Sequence, residues 1–192
     1  MIAQRATLMA GTALFGVGLW QATAGLYIHA KAVVAQQLLD YAWARTRDGA
    51  AHARPWPWAD TWPVARLTAR GLDGWVYVLA DASGRSLAFG PGHVAGTATP
   101  GDAGNSVIAG HRDTHFRFLQ VLAADDRVTL ETADGVARSY HIVDKRVVDT
   151  RQKQAVQASD MPMLTLVTCY PFDAIVPGGP LRYVVTAVAS GR

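Results

Sequence analysis

The pattern of apolar and polar positions separates an apolar N-terminal segment from a β-rich remainder. No charged residue occurs from 6 to 28, and a helix over this range would be roughly 34 Å long, enough for a bilayer core of about 30 Å. Arg5 precedes the run, whereas Trp20 and Tyr27 lie towards its other end, which favours a retained membrane anchor with its N terminus inside. A cleavable signal peptide ending at "ATA" is the alternative, but the apolar run is longer than the usual signal core.

The segment that follows predicts a helical stalk and then an extended strap. Residues 31–45 place apolar side chains at helix-compatible spacing. Three prolines within 53–67 exclude a helix and favour a strap laid against the domain. We expect the tryptophans of the strap to pack on the barrel surface or near the bilayer rather than to bind a ligand; they are Trp56, Trp58 and Trp62.

From Leu67 onward, short β-branched and aromatic runs alternate with turn signals, which predicts an antiparallel barrel or sandwich. Phe116, Leu119 and Leu122 at helical spacing predict one short helix within 115–126. The predicted strands cover residues 74–81, 86–90, 105–110, 127–132, 137–150, 163–170 and 181–189.

Composition narrows the class of protein. A chain of 192 residues holds one ordinary domain with some residues left for a tail or an anchor. Half of the residues are hydrophobic and 17% are charged, which indicates a packed core rather than disorder. The formal charge is +3, but the basic residues are scattered singly, so we do not expect a nucleic acid partner. The only cysteine, Cys169, cannot form an internal disulfide, which leaves a buried spectator or a reactive thiol.

Three residues near the ends of predicted strands have the chemistry of an acyl transfer. Cys169 ends one strand, His111 follows another, and Arg182 begins a third. A thiol with an ordinary pKa of about 8.5 needs a neighbouring histidine or positive charge to act as a nucleophile. An imidazole can carry protons, and a guanidinium can stabilise an oxyanion. The spacing of the three residues is compatible with many folds, so the sequences that flank them are needed to identify the type of site.

The flanks resemble the sortase family, the membrane-anchored cysteine transpeptidases of bacterial surfaces. The stretches that carry the resemblance are "TPGDAGNSVIAGHRDTHF", "LTLVTCYPF" and "LRYVV". Residues 165–169 match the family's TLxTC signature, His111 its catalytic histidine and Arg182 its essential arginine. The resemblance covers about residues 60–190, and the strap together with "CYPF" is most similar to the class GN sortases of Gram-negative bacteria.

The resemblance implies an all-β fold, a closed eight-stranded sortase β-barrel with one or two short helices, preceded by an N-terminal transmembrane helix. Residues 1–29 would be the membrane anchor, 30–63 the stalk and strap, and 64–192 the catalytic barrel. The implied location is the inner (cytoplasmic) membrane, with a single pass and the catalytic domain facing the periplasm or the exterior.

The resemblance also implies a reaction and its partners. Cys169 would attack the Thr carbonyl of an LPXTG-like C-terminal sorting signal on a surface protein, and an amine acceptor at the cell envelope would release the resulting thioacyl enzyme. His111 would carry protons, Arg182 would bind the substrate backbone or stabilise the oxyanion, and Thr168 would add a hydrogen bond near the oxyanion. Residues 170–180 lie where the family places a wall of the substrate groove.

We expect no cofactor and no required metal. Some sortases bind calcium through an acidic cluster beside the substrate loop, whereas the corresponding residues 149–162 contain only Asp149 and Asp160 as acidic side chains, mixed with basic ones. Outside this set, we interpret Asp113 as a helix N-cap and His115 as a cap or packing residue.

Three alternatives stay open at this point. A thiol hydrolase or protease would use the same Cys, His and Arg but let water complete the reaction. A peptidoglycan L,D-transpeptidase is disfavoured because the sequence around Cys169 lacks the pattern usual for that class. A catalytically silent, membrane-tethered β-domain would leave Cys169 as a spectator.

Overall fold

The computed structural model describes residues 2–151, 159–176 and 178–190. Eight strands close into a barrel with the neighbour order β1-β2-β3-β4-β7-β8-β6-β5. The β2–β3 and β4–β7 pairs are parallel and the others antiparallel. The prediction of a closed eight-stranded barrel is therefore confirmed. The strands are β1 (Pro63–Ala69), β2 (Val76–Leu79), β3 (Gly92–His93), β4 (Asn105–Ala109), β5 (Arg127–Thr132), β6 (Ala137–Asp149), β7 (Met163–Cys169) and β8 (Leu181–Ala189).

A long helix, α1 (Ile2–Arg47), precedes the barrel. It includes the helix predicted over 31–45, and the role of that helix as a stalk stays a prediction. In the described part of the chain, however, no helix is both long and apolar enough to cross a membrane, so the transmembrane prediction over 6–28 is not supported. The uncharged run contains Gln21 and many glycine, alanine and threonine residues, which add little hydrophobicity. The chain forms two compact units, one up to Leu38 and one from Leu39 onward; the predicted divisions at 29 and 63 stay predictions.

The core lies inside the barrel and includes the chain that joins β4 to β5. Leu164 and Leu166 of β7 face the core, and Thr165 between them is buried as well. From the β4–β5 connection, Phe116, Leu119 and Leu122 join the same buried cluster. Further members of this cluster are Leu67, Val78, Ile108, Val128, Leu130, Tyr140, Ile142, Leu164, Leu166 and Val185.

Of two local predictions, one was confirmed and one was wrong. The short helix expected within 115–126 is present as the 3-10 helix Arg117–Gln120. The expected strand at 86–90 is also a 3-10 turn, Ser86–Ala88. There the Asp81 carboxylate accepts hydrogen bonds from the Ser83 amide at 2.7 Å and the Ser86 hydroxyl at 2.8 Å, and such local bonds compete with strand pairing.

The strap packs as predicted over part of its length. Trp56 lies edge-on to Phe89 with ring centroids 4.9 Å apart, and Trp62 lies 4.2 Å from the ring of His52. Trp58 is exposed instead. The end of the strap is already strand β1, which pairs with β2 and β5.

The last turns of α1 pack against the barrel. Leu39 and Trp43 form a buried cluster with Tyr77 and Leu79 of β2. The Tyr77 hydroxyl donates a hydrogen bond of 2.5 Å to the Asp40 carboxylate. Burial, followed by this hydrogen bond, raises the pKa of Tyr77 from 10.0 to about 12.

We expect ionisation of Tyr77 to lower the free energy of unfolding of the barrel at high pH. Because its pKa in the folded protein exceeds the unfolded value, the stabilisation is complete below pH 10 and is lost as the pH rises through about 12. Urea unfolding between pH 9 and pH 12 should therefore show a steeper loss for the wild type than for Tyr77→Phe. Tyr41 on α1 is exposed, so Tyr41→Phe serves as the control and should keep the wild-type slope. Equal slopes for Tyr77→Phe and wild type would contradict this assignment.

Candidate active site

Cys169 and Arg182 face each other across the β7–β8 pair. Cys169 is the last residue of β7, and its register partner on β8 is Arg182. Residues directly opposite in an antiparallel pair project on the same face of the sheet, with their Cβ atoms about 5 Å apart. Both residues are half-buried, so the thiol and the guanidinium share one partly accessible face.

The guanidinium of Arg182 is held at the start of its strand. Its Nη1 donates hydrogen bonds to the carbonyl oxygens of Gly179 at 2.8 Å and Leu181 at 2.9 Å. Within the described ranges, no protein acceptor occupies its Nε or Nη2. The residue therefore combines a fixed position with donors that a bound group can use.

His111 is placed by the pairing of β4 with β7. The two strands are parallel, and Ala109 lies opposite Val167. The Gly110 amide donates to the Val167 carbonyl at 3.1 Å. His111 therefore follows a peptide that is fixed to the strand carrying the thiol, and its side chain is exposed.

These pairings bring the three predicted residues to one edge of the barrel. β7 lies between β4 and β8. Because β4 runs parallel to β7 and β8 runs antiparallel to it, the C-terminal ends of β4 and β7 and the start of β8 meet at the same edge. This edge of the barrel therefore carries a thiol, an imidazole and a permanent positive charge on three neighbouring strand ends.

The hydroxyl of Thr168 is engaged within the protein, and its predicted role near an oxyanion stays a prediction. Its side chain is buried, and its hydroxyl donates a hydrogen bond of 2.7 Å to the Gly110 carbonyl. A hydroxyl has one proton, so this conformation leaves Thr168 no donor for an oxyanion. This hydrogen bond ties Thr168, directly before Cys169, to Gly110, directly before His111. Thr168 is therefore a positioning residue.

The connection around His111 depends on close packing at Gly110. A Cβ at this position would lie 2.8 Å from Cγ of Phe116, so a side chain here would displace a fully buried ring. The Phe116 amide donates to the His111 carbonyl at 2.9 Å. Sequence reasoning did not single out Gly110, because only the position of the Phe116 ring shows why no side chain fits.

Asp113 does not have its predicted N-cap role. The N-cap residue of the 3-10 helix Arg117–Gln120 is Phe116, and no side chain caps this helix. His115 is half-buried, with its Nδ1 3.4 Å from the Thr114 hydroxyl. Burial lowers the pKa of His115, and the charge of His111 lowers it further, whereas Asp113 raises it.

An aromatic group lies directly beside Cys169. The rings of Tyr170 and Tyr183 stack with centroids 6.2 Å apart, and Phe172 lies edge-on to Tyr183 at 5.3 Å. Phe172 and Tyr183 also pack against the barrel core. These rings fix the start of the chain that follows the thiol. The sequence hinted at them only through "CYPF", which was interpreted as a family feature.

The structure describes no metal site. Among the described residues, no group of three or more His, Cys, Asp and Glu side chains lies together. Asp149 is bound by Arg151, and this hydrogen bond lowers the pKa of its carboxyl group to about 2. The absence of a required metal stays a prediction, because residues 152–158 of the relevant loop lie outside the described part.

Comparison with known protein families identifies the barrel domain. The family profile described as "Sortase domain" matches residues 67–190. The chain belongs to the sortase family. This match includes β4, β7 and β8, and with them His111, Cys169 and Arg182.

The relatives of this sortase include several class D enzymes. Sortase D of Bacillus subtilis is 34% identical over 100 residues, which are 52% of this chain and 50% of that protein, so the match spans half the length of this curated relative. Sortase D of Bacillus anthracis is 33% identical, with a TM-score of 0.56 over 67% of this chain and 88% of that chain. The sortase D5 transpeptidase of Clostridium perfringens, 22% identical, has a TM-score of 0.63 over 83% of this chain and 99% of that chain. The assignment to class GN stays a prediction.

We expect the hydroxyl of Thr168 to be required for a stable active-site edge. Thr168→Val keeps the shape of the side chain but leaves the Gly110 carbonyl without its partner, at a cost of about 1–3 kcal/mol in the free energy of unfolding. Thr168→Ser keeps the hydroxyl and should lose clearly less. Urea unfolding of both variants measures the difference, and equal losses for Val and Ser would contradict the role assigned to the hydrogen bond.

Proposed function

We propose that this sortase is a cysteine transpeptidase that cleaves an LPXTG-like C-terminal sorting signal and joins the acyl part to an amine. The observation that carries the proposal is the register pairing of Cys169 with Arg182, next to His111 on the adjoining strand end. Membership of the sortase family supports the transpeptidase class. The signal sequence and the roles below are part of the proposal.

The first half of the reaction forms a thioacyl enzyme. Sγ of Cys169 attacks the Thr carbonyl carbon of the signal, and the thiol proton passes to the His111 imidazole. The carbonyl oxygen becomes an oxyanion beside Arg182, whose free donors and charge stabilise it. The C–N bond then breaks, and His111 returns the proton to the leaving amine. The acyl part of the substrate remains on Cys169 as a thioester.

The second half transfers the acyl group. An acceptor amine attacks the thioester carbon and gives a proton to His111. The tetrahedral intermediate collapses, the C–S bond breaks, and the proton of His111 restores the thiol of Cys169. Water in place of the amine would give a hydrolase. The partners are therefore a surface protein with a sorting signal and an amine of the cell envelope.

The cellular location stays a prediction. A single pass through the inner membrane, with the barrel facing the periplasm or the exterior, would place the enzyme where such surface proteins emerge. The fold of the barrel does not depend on this location.

Intact-mass spectrometry of the protein mixed with an LPXTG-type peptide tests the reaction. We expect an adduct equal to the acyl part of the peptide with wild type and none with Cys169→Ala. Addition of an amine such as triglycine should discharge the adduct into an amide product. Discharge to the free acid at the same rate with and without triglycine would identify a hydrolase. Absence of an adduct across a panel of sorting peptides would favour a silent binding domain.

We expect Arg182 to need its guanidinium and not only its charge. Loss of one oxyanion donor typically lowers kcat by about 10²–10³-fold, and Arg182→Gln should fall in this range. Arg182→Lys keeps the charge but not the planar fork and should recover only part of the loss. The control is Arg146→Gln on β6, where Arg146 pairs with Asp144. A kcat for Arg182→Gln within threefold of the kcat of the Arg146→Gln control would exclude the proposed role.

A further inference from the structure

Arg112, directly after His111, is a buried charge that the sequence did not single out. Only 8% of its surface is exposed. Its Nη2 donates hydrogen bonds to the carbonyl oxygens of Ala174 at 2.8 Å and Val176 at 3.4 Å, whereas Nη1 is buried without a partner. No carboxylate lies within ion-pair distance of Arg112 in the described ranges.

Such an arrangement is not explained by stability. Burial removes water from a permanent charge, and carbonyl oxygens compensate for that loss less well than a carboxylate does. An apolar side chain of similar size would fill the same space at a lower cost. The reason for an arginine at this position must therefore lie in the groups to which its guanidinium donates hydrogen bonds.

The donors hold the middle of the nucleophile loop, which we define as residues 170–180. At the ends of this loop, the Tyr170 amide donates to the Leu181 carbonyl at 3.1 Å and Arg182 binds Gly179 at 2.8 Å. Between them, the tip residues Ile175 and Val176 are 98% and 76% exposed.

Within the described residues, the hydrogen bonds from Arg112 are the only ones that join residues 173–176 to a distant part of the chain. The loop begins at the residue after Cys169 and ends two residues before Arg182. Among the described residues, Arg112 is therefore the polar link between the β4–β5 connection that carries His111, called here the histidine connection, and the loop that joins the other two site residues.

We propose that Arg112 is a positioning residue that holds the nucleophile loop against the histidine connection, so that the tip of the loop and His111 keep a fixed relation to Cys169. The inference rests on the proposed transpeptidase function for its effect on the reaction. Release of the loop would weaken substrate binding, because the wall beside the thiol would move, and would slow acylation, because the reacting groups would be aligned for less of the time.

The test compares Arg112→Gln and Arg112→Lys with Arg117→Gln in the full chain. Arg117 lies exposed on the same connection, so its variant makes the same change of charge without touching the loop. We expect Arg112→Gln to speed amide hydrogen exchange in residues 173–176 at least tenfold, to raise the KM for the sorting peptide at least threefold and to lower kcat/KM at least tenfold. Arg112→Lys should recover part of each change, and Arg117→Gln should match wild type.

Rates are expressed per folded molecule, with the folded fraction taken from thermal unfolding and the total amount of protein from alkylation of Cys169. If Arg112→Gln lowers only the folded fraction and leaves exchange, KM and kcat per folded molecule unchanged, Arg112 is a packing residue and the proposal is overturned. If Arg112→Gln does not fold, Arg112→Lys is judged by the same measurements, and wild-type values for it overturn the proposal.

Failure of the proposed function gives a different result. Wild type would then form no thioacyl adduct with any sorting peptide. Hydrogen exchange in residues 173–176 would still decide whether Arg112 holds the loop: faster exchange in Arg112→Gln supports the link, and unchanged exchange overturns it.

Discussion

The position of β7 between a parallel and an antiparallel neighbour is the constraint on which the active site depends. A strand with two antiparallel neighbours would have the start of each neighbour beside its own end. Here the end of β4 and the start of β8 both lie beside Cys169. The hydrogen bond from Thr168 to the Gly110 carbonyl ties the end of β7 to the residue that follows β4. The candidate site is therefore located by backbone pairing, and the side chains of Cys169, His111 and Arg182 complete it.

This mode of construction explains an unusual feature of the histidine. In many nucleophilic enzymes a carboxylate orients the base. In the described part of this chain, no carboxylate forms an ion pair with His111. The peptide on each side of His111 is held instead, by Val167 and Thr168 before it and by the Phe116 amide after it. These backbone contacts fix the point from which the imidazole projects without adding a negative charge near the thiol.

The sequence predicted those parts of the site that follow from local patterns. The β7 strand was expected at 163–170 and lies at Met163–Cys169, because an apolar β-branched run has few other solutions. Strand β3 was missed, since two residues held by their neighbours carry no periodic signal. Arg112 was missed for a different reason: its acceptors are backbone carbonyls about sixty positions away, and backbone carbonyls have no sequence signature. Thr168 was noticed, but only the structure shows where its proton goes.

The end of α1 has a consequence for how much of the chain makes an independent folding unit. Leu39 and Trp43 cover Tyr77 and Leu79 on the outside of the barrel, and the Asp40 carboxylate accepts the Tyr77 hydroxyl. A protein trimmed to the first strand would expose this apolar patch to water, and exposed apolar patches promote self-association. The minimal soluble fragment therefore begins before Leu39, inside the helix, although the three candidate site residues lie far downstream.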